Sequence, residues 1–372
     1  MPVSISDRSS LGVGIVGLSA SGGWAANAHV PALSRLAGYE LRGLVSSSAA
    51  TAKAASDKFG VDLAFDNVHE LAEREEIDLI VITVKVPEHR QLVMTALDRG
   101  KAVLCEWPLG NGLEETEQLA EAAEKRGLRG FVGLQARSAP TIRYMRDLIA
   151  DGYVGEVLST SLIGSGGTWG ATVDERNAYT LDRANGATML TIPFGHTIDA
   201  LAMVLGEFDD IAVTTATRRR QVVDSGSGSA IPMTAEDQIA VSGLLESGAV
   251  ASLHFRGGIS PGTNFLWEIN GTAGDLVLTG NSGHLQLADT ELRGSRAGSA
   301  LAVMAPPRRY ELVPRDKFGD APRAYNVACA YAQIRDDLNS GTAVAPTFAH
   351  AAGRHSLLER IRATGSNRCE SR

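Results

Sequence analysis

The chain has 372 residues, of which 44% are hydrophobic, 21% are charged and 5% are aromatic. Its 35 basic and 43 acidic side chains give a net charge of −8 at pH 7, which argues against binding to nucleic acid or to a membrane surface, since both need a basic face. Because single hydrophobic cores stop growing near ~250–300 residues, the length predicts two domains.

Nothing in the sequence predicts a membrane or secretory segment. No apolar stretch reaches the roughly 18 residues of a spanning helix, and the first ten residues lack the basic and apolar regions of a secretion signal. The three cysteines, Cys105, Cys329 and Cys369, are widely spaced and form no C-x-x-C pair. This usage predicts reduced thiols, a cytoplasmic location and no metal site.

Short apolar runs alternate with helical segments in the first third of the chain. Strands are predicted at residues 11–17, 40–45, 78–84, 102–105 and 130–133, and helices at residues 25–36 with a break at Pro31, 49–59, 67–74, 89–99 and 113–126. The strands are continuously apolar, as expected when helices cover both faces of a parallel sheet. Residues 1–135 therefore predict a doubly wound α/β domain of the Rossmann type.

The pattern changes after Gln135. Helices are predicted at residues 141–151, 195–204, 325–338 and 348–362, and strands at 155–163, 211–217, 238–245, 250–255, 265–269 and 275–278, with short hairpin-like connections. Residues 224–235 and 293–300 predict exposed loops, residues 218–220 (Arg-Arg-Arg) a solvated strand end, and residues 365–372 a frayed terminus. Residues 136–372 therefore predict an α+β domain with a largely antiparallel open sheet, whose last helix packs near the first domain.

A glycine-rich turn follows the first predicted strand. The segment Gly17–Gly22, GLSASG, matches the dinucleotide template G-x-G-x-x-G except that Ser19 replaces the middle glycine. Between a strand and a helix, such a turn exposes backbone N–H groups that bind pyrophosphate. The sequence therefore predicts dinucleotide binding, with contacts from Gly17, Ser19, Ala20, Gly22, Gly23 and Trp24.

The end of the second strand bears on the choice between NAD and NADP. It reads Val45-Ser46-Ser47-Ser48, without the Asp or Glu that bonds the ribose 2′-OH of NAD. Hydroxyl groups can bind a 2′-phosphate, so Ser46 and Ser47 favour NADP over NAD; alternatively, the serines only cap the helix that begins near Ala49. Lys85 follows the third apolar strand and is expected in the same crevice, as a cofactor contact, a catalytic lysine or a solvent-facing side chain.

Several motifs together resemble the glucose–fructose oxidoreductase/inositol dehydrogenase/MocA family over residues 12–278. After the glycine turn come H-x-P-A-L at residues 29–33, E-W-P-L at 106–109 where the family has E-K-P-L, G-Y-V-G-E at 152–156, and F-G-H-T-I-D at 194–199. The resemblance implies NADP or NAD as cofactor, a sugar, polyol or related substrate, and a homo-oligomer formed through the C-terminal sheet. The subgroup most similar includes the yeast galactose-regulon repressor, a regulator that binds NADP and a protein partner without turnover.

Two family residues at the substrate hydroxyl are replaced. Trp107 stands at the position of the family lysine and Ile192 at that of the aspartate, so only His196 remains. We expect His196 to act as acid and base, oriented by Asp199 one turn later; the alternative is a structural histidine beneath the site. Trp107 either stacks on the nicotinamide or a sugar ring, or blocks a dead active site.

The remaining candidates complete the predicted site. Cofactor contacts are expected from Lys85, His89, Glu106, Trp107 and Pro108, catalytic roles from His196, Asp199 and Lys85, and substrate contacts from Trp107, Arg137, Trp169, Tyr179, Asp182 and His196. The main functional hypothesis is an NAD(P)-dependent oxidoreductase that transfers a hydride to or from a CH–OH group. The alternatives are a non-catalytic NADP-binding regulator of a partner protein, and a redox enzyme that retains and recycles its cofactor.

Overall fold

The computed structural model describes residues 10–369, and the chain divides into two compact units. The first unit contains the residues up to Ser138 together with Glu311–His355, and the second contains Ala139–Tyr310 and the residues from Ser356 onward. Among the described residues, no helix combines the length and the apolar character that crossing a bilayer requires.

The first unit is built on a six-stranded parallel sheet. In chain order its N-terminal elements are β1 (Leu11–Val16), a π-helical turn (Ala25–His29) that continues into α1 (Val30–Ser34), β2 (Tyr39–Val45), α2 (Ala49–Phe59), β3 (Leu63–Phe65), α3 (Val68–Ala72), β4 (Leu79–Ile82), α4 (His89–Asp98), β5 (Ala102–Glu106), α5 (Leu113–Lys125) and β6 (Gly130–Gly133). The strands lie in the order β3-β2-β1-β4-β5-β6, all parallel. This confirms the predicted doubly wound α/β fold.

Burial on both faces explains why polar and apolar residues do not alternate along these strands. Every residue of β1, β4 and β5 is buried, as expected for a sheet that is covered on both faces. From β1 the strand order runs to β2 and β3 on one side and to β4, β5 and β6 on the other. The carboxyl ends of β1 and β4 therefore border the crevice in which such folds bind ligands.

The second unit contains α6 (Pro140–Ala150), β7 (Val157–Gly166), β8 (Thr172–Val173), α7 (Pro193–Leu205) and a series of later strands. These strands are β9 (Phe208–Ala216), β10 (Gln221–Asp224), β11 (Ala230–Pro232), β12 (Gln238–Leu245), β13 (Val250–Gly257), β14 (Phe265–Gly271), β15 (Gly274–Gly280), β16 (Thr290–Arg296) and β17 (Ala302–Val303). An eight-stranded sheet has the order β17-β16-β15-β14-β7-β13-β12-β9, and only β13 and β7 pair in parallel. The prediction of a largely antiparallel sheet is confirmed.

Two segments predicted as loops contain strands. Residues 293–296 belong to β16, which pairs with β15 over seven positions from Gly274↔Arg296 to Gly280↔Thr290. The small side chains that suggested a loop are required here, because a Cβ on Gly294 would lie 2.3 Å from Met304 Sδ. Within residues 224–235, β11 pairs with β10, so pairing partners override composition in both segments.

The C-terminal helix α8 (Tyr325–Ser340) belongs to the first unit, whereas α9 (Phe348–Cys369) begins in the first unit and continues past His355. α8 packs on α1, on β6 and on the turn Gln135–Ser138 of the first unit, and Val132 N–H donates to Pro346 O at 2.9 Å. The predicted division at Gln135 therefore differs from the observed one in Glu311–His355, which packs with the first unit. α9 continues through residues predicted to fray; residues 370–372 lie outside the described part.

Candidate functional site

A cleft of about 530 Å³ opens at the carboxyl ends of β1, β2 and β4 in the first unit. Five of the predicted cofactor residues line it: Gly17, Ser19, Ser46, Ser47 and Lys85. The segment after β3 contributes Asp66, Asn67 and His69, which the sequence analysis did not single out. The strand order places the end of β3 beside the end of β2, and Ser46 N–H donates to Phe65 O at 3.1 Å.

The glycine-rich turn has the backbone geometry that phosphate binding requires. Gly17 has φ +95°, and a Cβ there would lie 2.9 Å from Val84 Cγ1 and 3.0 Å from Thr83 Oγ1. Ser21 N–H donates to Ser19 Oγ at 3.2 Å, and Lys58 Nζ donates to Ala20 O at 2.7 Å. Only glycine fits at position 17 without strain, so these residues fit a dinucleotide phosphate beside the turn.

The other residues of the turn lead into the helix that follows. Gly22 and Gly23 have φ +106° and +115°, and Gly23 O accepts from Asn27 N–H at 3.0 Å as the helix begins. The ring of Trp24 meets that of His29 edge-on, with centres 6.2 Å apart. Trp24 Nε1 is buried and has no hydrogen-bond partner among the described residues. It is therefore a donor that a bound group could satisfy.

The three serines after β2 have different roles. Ser48 caps α2, since its Oγ accepts from Thr51 N–H at 3.2 Å in a capping box. Ser46 and Ser47 line the cleft instead. The capping interpretation therefore applies to Ser48, and binding of a 2′-phosphate by Ser46 and Ser47 stays a prediction. The same cleft holds Asp66, a carboxylate whose charge opposes a 2′-phosphate.

Lys85 and His89 follow β4 and differ in exposure. Lys85 is exposed and lines the cleft, where a cation suits a phosphate or ribose. His89 is buried, with Nδ1 2.9 Å from Pro108 O and Nε2 3.1 Å from Val84 O. Burial lowers the pKa of His89, against the opposing effect of the carbonyls. His89 therefore ties the loop after β4 to the E-W-P-L segment, and its contact with a cofactor stays a prediction.

A buried polar network holds Glu106 at the end of β5. Glu106 Oε1 accepts from Gln135 Nε2 at 2.6 Å and lies 3.1 Å from His29 Nε2, while His29 Nδ1 lies 2.8 Å from Tyr331 Oη. Burial raises the pKa of Tyr331 well above its usual value, so the phenol keeps its proton and donates to Nδ1. His29 then donates from Nε2 to the carboxylate, which connects the H-x-P-A-L and E-W-P-L motifs.

Trp107 and Arg137 both contact the start of α9. The Trp107–Pro108 peptide is cis, Pro108 is buried, and the indole is buried against His355, with ring centres 4.7 Å apart. Arg137 Nη1 donates to His350 Nε2 at 2.6 Å. These contacts give both predicted substrate residues a packing role within the first unit.

His196 lies on α7 in the second unit, in surroundings that keep it neutral. α7 begins at Pro193. The residue before it, Ile192, stands at the position of the family aspartate and makes no side-chain hydrogen bond to cap the helix. Burial lowers the pKa of His196 well below its ordinary value, His284 lowers it further and Asp199 raises it. Asp199 is buried on the same helix, and His196 Nδ1 is buried with no hydrogen-bond partner in residues 10–365.

Three other predicted substrate residues are engaged in local structure of the second unit. Trp169 is buried and its Nε1 donates to Thr180 O at 3.0 Å. Asp182 caps a short turn, since its Oδ1 accepts from Ala184 N–H at 3.0 Å and from Thr234 Oγ1 at 3.1 Å. Tyr179 is partly buried, which raises its pKa.

The arginine run at residues 218–220 is predicted to be a solvated strand end. Arg218 and Arg219 are exposed, as expected, and donate their backbone N–H groups to Asp237.

His284 is the histidine that sequence reasoning missed. It lies in the connection between β15 and β16, and its ring centre is 5.5 Å from that of His196. No local motif marks this residue, and only the pairing of β15 with β14 and of β14 with β7 brings the connection close to Ser165. Among the described residues, no group of three or more His, Cys, Asp or Glu side chains is arranged to hold a metal ion.

Two family models match adjoining parts of the chain. The model described as an oxidoreductase family with an NAD-binding Rossmann fold, GFO_IDH_MocA, matches residues 11–134. The model described as the Gal80p C-terminal domain matches residues 140–280. The two models meet close to the boundary between Ser138 and Ala139.

Similar proteins include both regulators and dehydrogenases. The galactose/lactose metabolism regulatory protein GAL80 of Saccharomyces cerevisiae is 30% identical over 307 residues, which cover 77% of this chain and 71% of the yeast protein. The dehydrogenase aclE of Aspergillus oryzae is 35% identical over 181 residues, which cover 48% of this chain and 49% of that protein.

Solved structures share the fold over nearly the whole chain. A super-repressor mutant of Gal80p from Saccharomyces cerevisiae matches with a TM-score of 0.86 and 28% identity, covering 96% of each chain. Levoglucosan dehydrogenase in complex with NADH and levoglucosan has a TM-score of 0.81 at 19% identity, covering 96% of this chain and 98% of that chain, which is a likeness of fold alone. The chain therefore belongs to the NAD-binding glucose–fructose oxidoreductase/inositol dehydrogenase/MocA family, in the group that carries a C-terminal domain of the Gal80p type.

Proposed function

We propose that this protein is an NAD(P)-dependent oxidoreductase acting on a CH–OH group of a sugar, polyol or related hydroxylated small molecule. The observation that carries the proposal is the cleft at the carboxyl ends of β1, β2 and β4, where Gly17, Ser19, Ser46, Ser47 and Lys85 meet. A nicotinamide cofactor, when bound, supplies or accepts a hydride. The protein must then bind the substrate, orient it and move the hydroxyl proton.

His196 is the residue we assign to that proton. Its pKa is held below the ordinary value by burial and by His284, so the imidazole is neutral near pH 7 and can accept a proton from a hydroxyl group. Asp199, which acts on His196 in the opposite direction, stabilises the imidazolium that results. Lys85 is assigned to the cofactor, since it lines the same cleft as Ser46 and Ser47.

The cofactor choice is part of the proposal. Ser46 and Ser47 provide hydroxyl donors for a 2′-phosphate, which favours NADP, whereas Asp66 in the same cleft disfavours that phosphate and can accept from the 2′-OH of NAD. We propose binding of NADP or NAD with NADP preferred. Titration of the purified protein with NADPH and NADH, followed by nicotinamide fluorescence, gives the ratio of the two Kd values. A clear NADH preference contradicts the assignment of the serines.

The catalytic proposal is tested with a panel of sugars and polyols, following the absorbance of the reduced nicotinamide. We expect turnover by the wild type and a loss of at least about 100-fold in kcat for His196→Ala. The matched control is His254→Ala, which removes an exposed histidine on β13. Equal kcat values for His196→Ala and wild type would remove His196 from the mechanism.

A second candidate function is a non-catalytic NADP-binding regulator of a partner protein. It is favoured by Trp107 and Ile192 at the positions of the family lysine and aspartate, and by the similarity to a yeast regulatory protein over 77% of this chain. Tight NADPH binding without turnover of any compound in the panel would select this function. Cofactor retained through purification, with turnover only when a second substrate is added, would instead indicate an enzyme that recycles its cofactor.

Location and assembly complete the proposal. Cys105 and Cys329 are buried thiols, in keeping with a cytoplasmic protein. We propose a homo-oligomer formed through the eight-stranded sheet of the second unit, where Leu158, Leu244 and Val250 are exposed. Light scattering coupled to size exclusion, on wild type and on Leu158→Glu, tests this assembly, and a monomeric wild type contradicts it.

A further inference from the structure

His284 forms a ring contact with His196 inside the second unit. The two imidazole centres are 5.5 Å apart, with planes inclined at 44°. His284 is carried by residues 281–289 between β15 and β16, and its own carbonyl accepts from Leu287 N–H at 2.9 Å and from Ala288 N–H at 3.1 Å. The ring is therefore presented by a locally hydrogen-bonded turn.

Gly283 holds this turn against β7. A Cβ at Gly283 would lie 2.1 Å from Ser165 N and 2.3 Å from Ser165 O, so the two backbones touch and no other residue fits without displacement. Ser165 is itself fully buried. The backbone contact fixes where His284 enters the second unit, next to the helix that carries His196.

Both rings present a buried nitrogen without a hydrogen bond. These atoms are Nδ1 of His196 and Nε2 of His284, and within the described residues neither has a partner. A buried polar atom costs free energy unless it is bonded to protein or to ordered water. One oxygen atom bonded to both nitrogens would satisfy them, and the rings that carry them have centres 5.5 Å apart.

We propose that His284 is a positioning residue that relays the proton from His196, through a water molecule bound between Nδ1 of His196 and Nε2 of His284. This inference rests on the proposed function, in which His196 accepts the hydroxyl proton. As the substrate C–H hydride leaves for the oxidised nicotinamide, the hydroxyl proton moves to Nε2 of His196. Nδ1–H gives its proton to the water, and the water gives one to Nε2 of His284, so His196 returns to the neutral form and the proton, with its positive charge, lies on the His284 imidazolium. Reduction runs through the same steps in reverse.

The surroundings support exchange between two weakly basic rings. Burial lowers the pKa of His284 to about 4, and burial and His284 lower that of His196, so both rings are weaker bases than an exposed histidine. Asp199 is the carboxylate that acts on His196. β7 and α6 both pack on α7. β7 has no ionisable side chain. On α6, Arg143 bonds to Tyr310, and Asp147 bonds to Arg146 and to Tyr310.

Two measurements on the full-length protein test the relay. In ¹⁵N-histidine NMR titrations, His284→Gln is expected to raise the pKa of His196, since a neutral amide cannot repel an imidazolium. With a substrate identified in the panel, His284→Gln is expected to lower kcat at least tenfold at unchanged KM and to shift the pH dependence of kcat. His284→Asn replaces the glutamine variant if that variant does not fold, and His254→Gln is the matched control.

The outcomes separate this inference from the proposed function. A raised His196 pKa together with the lowered kcat upholds the relay, and wild-type values of either quantity in His284→Gln overturn it. If the wild type oxidises no compound in the panel, the proposed function fails, and the relay fails with it even where NMR finds the two rings coupled. If the wild type turns over and His284→Gln matches it, the proposed function stands and the relay alone is wrong.

Discussion

The indole of Trp107 packs against the imidazole of His355, with ring centres 4.7 Å apart and planes inclined at 51°. Both side chains are at least 95% buried. The position at which family enzymes carry a lysine is thus part of the packed interior of the first unit. We expect Trp107→Ala to lower the free energy of unfolding by about 3–5 kcal/mol, as for other buried tryptophans. Urea denaturation followed by circular dichroism measures the change, and a loss below 1 kcal/mol would show that the indole is not packed as described.

The hydrogen-bonded chain Tyr331–His29–Glu106 predicts a cost for removing one hydroxyl group. Tyr331→Phe leaves the buried Nδ1 of His29 without its 2.8 Å partner, and the expected loss is about 1–3 kcal/mol of unfolding free energy. Tyr144→Phe, on a partly exposed ring, is the control and should change stability little. Equal stability of the two variants would argue against the network.

Asp66 predicts a shift in cofactor preference. It lines the cleft with Ser46 and Ser47, so Asp66→Asn removes a negative charge that opposes a 2′-phosphate. At an exposed site this charge is worth about 1 kcal/mol, or roughly fivefold in the ratio of NADH to NADPH Kd values. The control is Asp62→Asn, which removes an exposed acid before β3, outside the cleft, and should leave the ratio unchanged. The same ratio in both variants would place Asp66 away from the 2′-position.

Gly17 predicts loss of cofactor binding when a side chain is introduced. In Gly17→Ala the new Cβ would lie 2.9 Å from Val84 Cγ1 at a φ of +95°, so the turn must move. We expect NADPH affinity to fall at least tenfold. Gly60→Ala also places alanine at positive φ, +67°, but in open space at the end of α2, and should cost about 1 kcal/mol of stability with unchanged affinity. Calorimetric titration of both variants makes the comparison.

His284 predicts a pH dependence of stability. Its pKa falls from 6.5 to about 4 on folding because the ring is buried, so below pH 6.5 the unfolded chain binds the proton more readily. Stability is then full above pH 6.5 and declines as the pH falls toward 4, by about 2–3 kcal/mol for this group. His284→Gln should flatten the decline between pH 7 and 4 and His254→Gln should not. Parallel curves for His284→Gln and wild type would contradict the burial of His284.

The continuous apolar strands and the glycine turn made the Rossmann fold predictable, because strand period and turn chemistry are local properties of the chain. The small residues at 293–300 led to a wrong prediction of a loop, because their structure depends on a distant part of the chain. Whether Gly294 and Ser295 form a loop or a strand depends on β15, which lies beside them only after folding. Ser48 and Ser47 likewise have adjacent positions in sequence but separate roles, one as a helix cap and the other in the cleft.

The fold class, the phosphate turn and the family follow from the amino-acid sequence, since each depends on residues close together in the chain. Only the tertiary structure brought Asp66 beside Ser46, through the pairing of β3 with β2, and His284 beside His196, through Gly283 on β7. It also joined His89 to Pro108 and Glu106 to Gln135 by hydrogen bonds between distant parts of the chain. Strand order and burial are collective properties of the folded chain, and they decide which polar side chains reach a ligand.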